Sequence, residues 1–333
     1  MRTASVAVIG AGVAGLACAR ALRAEGADVL VVDKGRGPGG RCSSRRSPFG
    51  RFDHGAQFFT VRDDRFARQA RSWSDAGVIA PWEGRHVVLE GGQAEAYRGD
   101  ARYVGTPAMN AFVRHEAEAA DVLFDLKMAL PERQDGARRW LLRSEGGRSA
   151  WAADWVVFAV PCEQAAMLVP PSASGGSDAL RAAANGARSE PTWTLMAAFE
   201  GGRAAPFDAA QVRDGTLAWA SREASKPGRD AGSRWVAHAS PAWTQANLEA
   251  DKAAVIPVLT DALRALIGED APLAHADAHR WRYAQVAGTA DGPFGLDAAA
   301  QLATCGDWHV APRVESAWIS GDALGRALAG RVS

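Results

Sequence analysis

Apolar runs at residues 6–9 and 29–32 read as strands, and the stretch at 155–160 as a strand of the fully buried kind. Between the first two, an alanine-rich segment with apolar positions at helical spacing reaches about Glu25, where Gly26 stops it. Residues 107–120 repeat the helical pattern, 122–130 and 140–143 read as further strands, and Pro161 ends the strand at 155–160. The pattern then changes: the runs at 193–199, 216–220 and 234–239 predict an antiparallel sheet. Segments 64–73 and 247–267 predict helices over one of its faces. Stretches rich in Gly, Pro and Ser at 170–177 and 200–215, with a turn region at 226–233, separate these elements. The chain is therefore expected to be α/β, with a second, α+β domain built on an antiparallel sheet. One domain takes residues 1–60, 98–163 and 286–333, the other 61–97 and 164–285, and a small ligand is expected in the cleft between them.

Composition adds setting more than chemistry. The 333 residues allow two domains with good cores, and 38 basic against 38 acidic residues argue against nucleic acid or an anionic membrane surface as the main partner. Cys18, Cys42, Cys162 and Cys305 have no CxxC or Cys-His spacing and read as the reduced thiols of a cytoplasmic protein. No apolar stretch approaches about 18 residues, so no membrane span is expected. Arg2 before an apolar run raises the question of an export signal, but Gly10, Gly12, Gly15 and Gly26 interrupt it, so export is not expected.

The glycines bring in the chemistry. Gly10-x-Gly12-x-x-Gly15 opens the first helix, and Asp33 ends the second strand roughly 20 residues further on, where a dinucleotide-binding Rossmann unit needs a carboxylate for ribose hydroxyls. Gly10 permits the tight turn, Gly12 lets a pyrophosphate approach the backbone, and Gly15 lets helix pack on strand. The N–H groups of the first turn, Val13 and Ala14 among them, favour the anion. Lys34-Gly35-Arg36-Gly37-Pro38-Gly39-Gly40-Arg41 then places a second glycine pair and a guanidinium fork near the same pyrophosphate.

This succession resembles the flavin amine oxidase superfamily, in which a ribose acid and a Gly-Gly-Arg follow the first glycines. The resemblance implies non-covalent FAD held by Gly10, Gly12, Val13, Ala14, Gly15, Asp33, Lys34, Gly40 and Arg41. It also implies that Gly306-Asp307 meets the ribitol and that a helix starting near Val314 and Glu315 aims its N–H groups at the flavin's pyrimidine edge, where its dipole stabilises the reduced anion. Backbone contacts from Gly55, Ala56 and Gln57, and from Met128 to the adenine, complete the implied set.

Segments 52–63, 102–109, 190–193, 225–229 and 280–286 together are similar to the renalase-like family, over nearly the whole chain. That resemblance implies an amine oxidase or p-hydroxybenzoate hydroxylase-like architecture and an FAD-dependent oxidase. Its substrates would be the 2- and 6-dihydro isomers of NAD(P)H, with O2 reduced to hydrogen peroxide. It places Phe58, Phe59, Thr60, Arg62, Tyr103, Val104, Gly105 and Thr192 at the substrate, with Trp193, Trp281, Tyr283 and Trp308 as aromatic walls that exclude water around a stacked nicotinamide. Arg62 could hold a substrate phosphate in two-point contact or pair with a nearby acid.

No general base is named, because the flavin carries the chemistry, and no metal is expected. His275 and His279 stand four apart without a zincin glutamate, in a segment that reads as a strand. Two other functions stay open: an amine or polyamine oxidase, which would call for an aromatic cage and a pocket lysine, and a flavin-binding redox sensor. Lys34, Lys127, Lys226 and Lys252 show no pocket motif in sequence, and no signalling or DNA-binding segment is seen. Oligomeric state is not legible.

Overall fold

The computed structural model of the chain describes residues 2–134, 138–147, 149–201 and 205–332. The first sheet is built on the opening strand, Arg2–Ile9, which pairs in parallel with Val29–Val32 on one side and with Ala150–Phe158 on the other. Val29–Val32 continues in parallel to Val122–Leu123, and Ala150–Phe158 to Leu302–Thr304. Parallel pairing demands cover on both faces, which is why Val6, Val8 and Val31 on one face and Ala7, Val32 and Val156 on the other are all fully buried. Trp140–Arg143 adds an antiparallel strand, with Glu132–Arg133 beyond it at the edge. Only Val122–Leu123 of the expected 122–130 strand forms, because Asp125 adopts φ 58 and turns the chain out of extended geometry. The helix expected at 107–120 is shorter, Ala111–Glu118.

The second sheet has seven strands in the order Leu273–Gly288, Arg188–Phe199, Ser233–Ala239, Leu217–Arg222, Ala209–Val212, His86–Glu90, Gln93–Ala96. Five of the six pairings are antiparallel, as expected, but Ala209–Val212 runs parallel to His86–Glu90. The two meet from separate stretches of chain, with no hairpin to force antiparallel pairing. Ala209–Val212 also lies inside the segment expected to be a loop; burial there is carried by two alanines, which give a weak strand signal. Residues 202–204 of that expected loop lie outside the described residues.

Helix Lys252–Ile267 presents Val255, Leu259, Leu263 and Ile267 at four-residue spacing to one face of this sheet, against Trp193, Leu195, Ala197 and Trp235. The helix Asp64–Asp75, capped by Asp63, takes a different place from the one expected. Its Phe66 and Trp73 pack on Trp318 and Phe112, with ring centroids 5.5 and 4.8 Å apart, so it covers the helices of the first sheet. The C-terminal helix, Val314–Val332, lies close along the first helix, Val13–Ala24. A Cβ on Gly321 would stand 2.0 Å from the Ala14 carbonyl oxygen, and one on Gly325 would stand 2.7 Å from that of Cys18. Only glycine permits that approach.

Candidate functional site

The first turn separates three glycines by task. Gly10 sits at φ +115, and a Cβ there would lie 2.4 Å from the Ala159 carbonyl oxygen; a Cβ on Gly15 would lie 1.9 Å from that of Gly10. Both are needed for the backbone to close on itself. Gly12 has nothing within 4 Å of where its Cβ would stand. It caps the first helix without any side-chain hydrogen bond, so the space beside it is free for an anion drawn to the helix N-terminus. Gly40, at φ +51, comes up to the same place: its Cβ position is 3.6 Å from the Gly12 Cα. Val13 and Ala14 form the first helical turn, and Ala14 also receives the C-terminal helix.

Asp33 stands at the end of Val29–Val32, half-buried, with its two oxygens accepting from the backbone N–H groups of Ala11 and Gly35, each at 2.6 Å. A carboxylate has about four lone-pair sites, so capacity remains for ribose hydroxyls. Lys34 points outward, its Nζ donating to Gln164 at 3.1 Å. Met128 is bridged to Ser144 by bonds that involve its neighbours, Ala129 N–H to Arg143 and Glu145 N–H to the Lys127 carbonyl. In such a pair the N–H and C=O of Met128 itself face away from the partner, while its side chain is core.

Arg41 holds the distant parts together. Its guanidinium donates to both oxygens of Asp307, at 2.8 and 2.6 Å, and its carbonyl accepts from Ala56 N–H at 2.8 Å. Gly55 must be glycine, since a Cβ would stand 2.0 Å from that same carbonyl and 3.3 Å from the Trp281 ring. The Gly306 N–H donates to Ser320, which fixes the Gly306-Asp307 corner on the C-terminal helix. That helix begins at Val314, and Glu315 in its first turn accepts from the N–H groups of Arg62 and Asp63 at 2.6 and 2.8 Å. Two glycine loops, residues 55–57 and the 306–314 corner thus converge on one place.

Gln57 is tied at both ends of its amide. Nε2 donates to the carbonyls of Asp53 and Gly55, and Oε1 accepts from Ser221 and Lys226 at 2.8 and 3.0 Å. Its contribution to a ligand is left to its backbone. Beneath it lies a buried ionic cluster that the sequence did not reveal. Lys226 Nζ is 2.7 Å from Glu223 and 3.4 Å from Asp53, and Arg229 is 2.6 Å from Asp53. Burial alone would raise the Asp53 carboxyl, but Lys226 and Arg229 outweigh it and hold the group well below the usual carboxylate range. For Glu223 burial wins, and its carboxyl is raised. Segments 52–63 and 225–229 both carry the family resemblance in sequence. What was missing was the contact that joins them across the fold.

The residues expected at the substrate divide into two groups. Thr192 and Trp281 are register partners on one face of the second sheet, and Tyr283 follows where the register with Arg188–Phe199 is interrupted by a bulge; all three are half-buried. Trp281 Nε1 donates to the His54 carbonyl at 2.9 Å. Phe58 stands beside Trp82 and Trp219, with Thr60 half-buried further along. The others are not brought to this face. Trp193 lies on the opposite face, under Lys252–Ile267, its Nε1 bonded to the Asn247 carbonyl. Trp308 is in the core behind the first sheet, bonded to the Val160 carbonyl and stacked on His309. Phe59 belongs to an aromatic core with Phe66, Trp73 and Phe112, and Tyr103 stacks on its ring and pairs with its backbone. Val104 is fully buried, and Gly105 is pressed against the carbonyls of Ala108 and Met109. Arg62 pairs with Asp100 at 2.5 Å on the surface.

Histidines crowd the same face. His54 lies 5.0 Å from His279 and 5.1 Å from Trp281, centroid to centroid. Burial pushes His54 down to about 3, with His279 and Arg45 adding to it, and pushes His279 and His238 each down to about 4. All three are neutral at neutral pH. They offer no permanent cation.

The family of NAD(P)-binding Rossmann-like domains matches residues 8–73. The chain spans 19% of the length of a curated relative it matches, the neurosporene-forming phytoene desaturase of Rhodobacter capsulatus, with 38% identity over 104 residues, 28% of this chain. Among solved structures, a two-substitution variant of putrescine oxidase superposes with a TM-score of 0.70 at 13% identity over 99% of both chains. Cyclohexylamine oxidase from Brevibacterium oxydans gives 0.73 at 13% identity, over 98% of this chain and 99% of the other. No described helix is long and apolar enough to cross a membrane. The chain has a Rossmann-like dinucleotide-binding unit joined to a mixed-sheet domain, and over nearly its whole length it shares the fold of putrescine oxidase and cyclohexylamine oxidase.

Proposed function

We propose that the protein is an oxidoreductase using non-covalent FAD. The observation that carries this is the open space at Gly12, walled by Gly40 and the first helix's N-terminus, with Asp33 and the Arg41–Asp307 pair around it. A pyrophosphate fits there, and both ends of a dinucleotide have named neighbours. Bound FAD supplies a two-electron acceptor for hydride. The chain's own part is to hold and exclude: the glycines admit the pyrophosphate, Asp33 takes ribose hydroxyls, Asp307 the ribitol, and residues 55–57 with the helix at Val314 flank the ring system. Trp281, Tyr283 and Thr192 form the wall that positions a flat donor and keeps water away. The four buried free cysteines fit a reducing, cytoplasmic setting.

The substrate reading is oxidation of 2- or 6-dihydro-NAD(P) with O2: one dihydronicotinamide, one proton and O2 give NAD(P)+ and hydrogen peroxide. A second reading, a flavin amine oxidase, is favoured by Lys226, buried beside Gln57 with its Nζ 5.5 Å from the Trp82 ring, and by the fold shared with two amine oxidases. Anaerobic addition of each reductant separates them. The 2- and 6-dihydro isomers are expected to bleach the flavin rapidly and 4-dihydro-NAD(P)H at least about a hundredfold more slowly, since ~1 Å of misplacement has that effect. Rapid bleaching by putrescine or a primary amine, with no response to dihydronicotinamides, would establish the amine oxidase instead.

A further inference from the structure

Among the described residues, Arg102 is a cation with no counterion. It is 4% exposed, its Nε and Nη1 have no hydrogen-bond partner, and no carboxylate pairs with it among the described residues. Aromatic rings enclose it: its guanidinium carbon lies 3.8 Å from the centroid of Tyr97, whose hydroxyl also reaches it, 4.4 Å from Phe58 and 5.1 Å from Trp219. Rings soften the isolation of a buried charge but do not replace hydrogen bonds. Two more nitrogens in the same cluster are buried without partners, His86 Nε2 and Trp219 Nε1. The His86 ring is 4.4 Å from Trp82, which is 6.4 Å from Trp219 and from Phe58. The nearby carboxylate of Asp208 is already taken, by Arg222 at 2.6 Å and by the Arg85 N–H at 2.9 Å.

Orphaned buried donors are rare, and here they cluster around a fixed positive charge. We propose that this cage binds an oxyanion of the substrate, a carboxylate or a phosphate. Arg102 supplies the charge-assisted bonds through Nε and Nη1. His86, in its Nε2–H tautomer, and Trp219 supply the others. Phe58 follows Gln57 directly, so the anionic end sits beside the segment that flanks the reacting ring. The inference rests on reading this cleft as the substrate site. It also fills the aromatic cage with a cation, which disfavours an ammonium substrate in that position.

The test is a titration of the holoprotein with sodium benzoate and, separately, inorganic phosphate against sodium chloride at matched ionic strength, read by tryptophan fluorescence and calorimetry. Saturable binding of benzoate, of phosphate or of both is expected, and the preferred ion identifies carboxylate or phosphate. Binding should weaken at least about tenfold in Arg102→Met and remain in Arg139→Met, an exposed arginine paired with Asp154. Trp219→Phe, which keeps a ring and removes the N–H, should weaken it severalfold and decides the matter if Arg102→Met does not fold. Absence of saturable binding to the parent protein, or unchanged affinity in the folded variants, overturns the proposal. The flavin spectrum of the same samples reports on the cofactor separately: a colourless protein that still binds the anion would fail the FAD reading alone.

Discussion

Gly12 and Gly15 stand three residues apart, and substitution should separate binding from folding. Gly12→Ala meets no atom within 4 Å, so thermal stability should stay close to the parent while dinucleotide binding falls, because the methyl occupies the space left for a pyrophosphate. Gly15→Ala drives a methyl to 1.9 Å from a backbone oxygen and should lower stability by about 1–3 kcal/mol, read by urea unfolding. Arg41→Ala should lose a charge-assisted contact of about 1.5–3 kcal/mol, a ten- to hundredfold drop in FAD affinity by dialysis, and Arg41→Lys should not restore it, because a lysine cannot reproduce the fork on Asp307. At this scale the sequence is informative where a backbone conformation demands one residue type, as at Gly10 and Gly15. It is least informative about side-chain direction. Trp193 and Thr192 are neighbours on a strand and face opposite ways, and nothing in their order says which face meets the cleft.

Among the elements, the C-terminal helix bears on the site through the first helix. Gly321→Val places branched carbons where a Cβ is already 2.0 Å from the Ala14 carbonyl oxygen, so the two helices must part. The variant should lose about 1–3 kcal/mol of stability and, unlike a surface substitution, should also weaken cofactor binding, since Ala14 lies in the turn that faces the anion. Fluorescence of released flavin against temperature reads both. Elements with long apolar periods were legible: the opening strand–helix–strand and Lys252–Ile267 follow their patterns closely. Short elements were not. Ala209–Val212 owes its strand to neighbours on both sides, and the helix Asp64–Asp75 carries an amphipathic stripe that fits either sheet until Trp318 and Phe112 are seen to receive it.

For the molecule as a whole, buried neutral histidines set the acid limit. His54, His238, His279 and His309 have folded pKa values lowered to about 3 or 4, while in the unfolded chain each takes a proton below ~6.5. The unfolded state therefore binds more protons across that window, and stability is present above ~6.5 and lost as pH falls toward 4. Asp53, whose carboxyl is lowered, adds a further loss below its ordinary range near ~3.9. The urea midpoint should fall between pH ~6.5 and ~4.5, and His54→Phe should reduce that slope; an unchanged slope would show that His54 does not stay neutral. The ionic cluster around Lys226 was hidden for a reason of the same scale, since Asp53 and Arg229 are 176 positions apart and meet only in the finished fold.

The place where Gly12, Asp33, Arg41 and Asp307 meet is drawn from both halves of the polypeptide. A dinucleotide lodged there acts as a non-covalent clasp that fastens the corner at Asp307 to a turn made nearly 300 residues earlier, at Gly12. During biosynthesis the clasp cannot close until the helix Val314–Val332 has docked, and afterwards every molecule of cofactor that binds favours the closed chain by mass action.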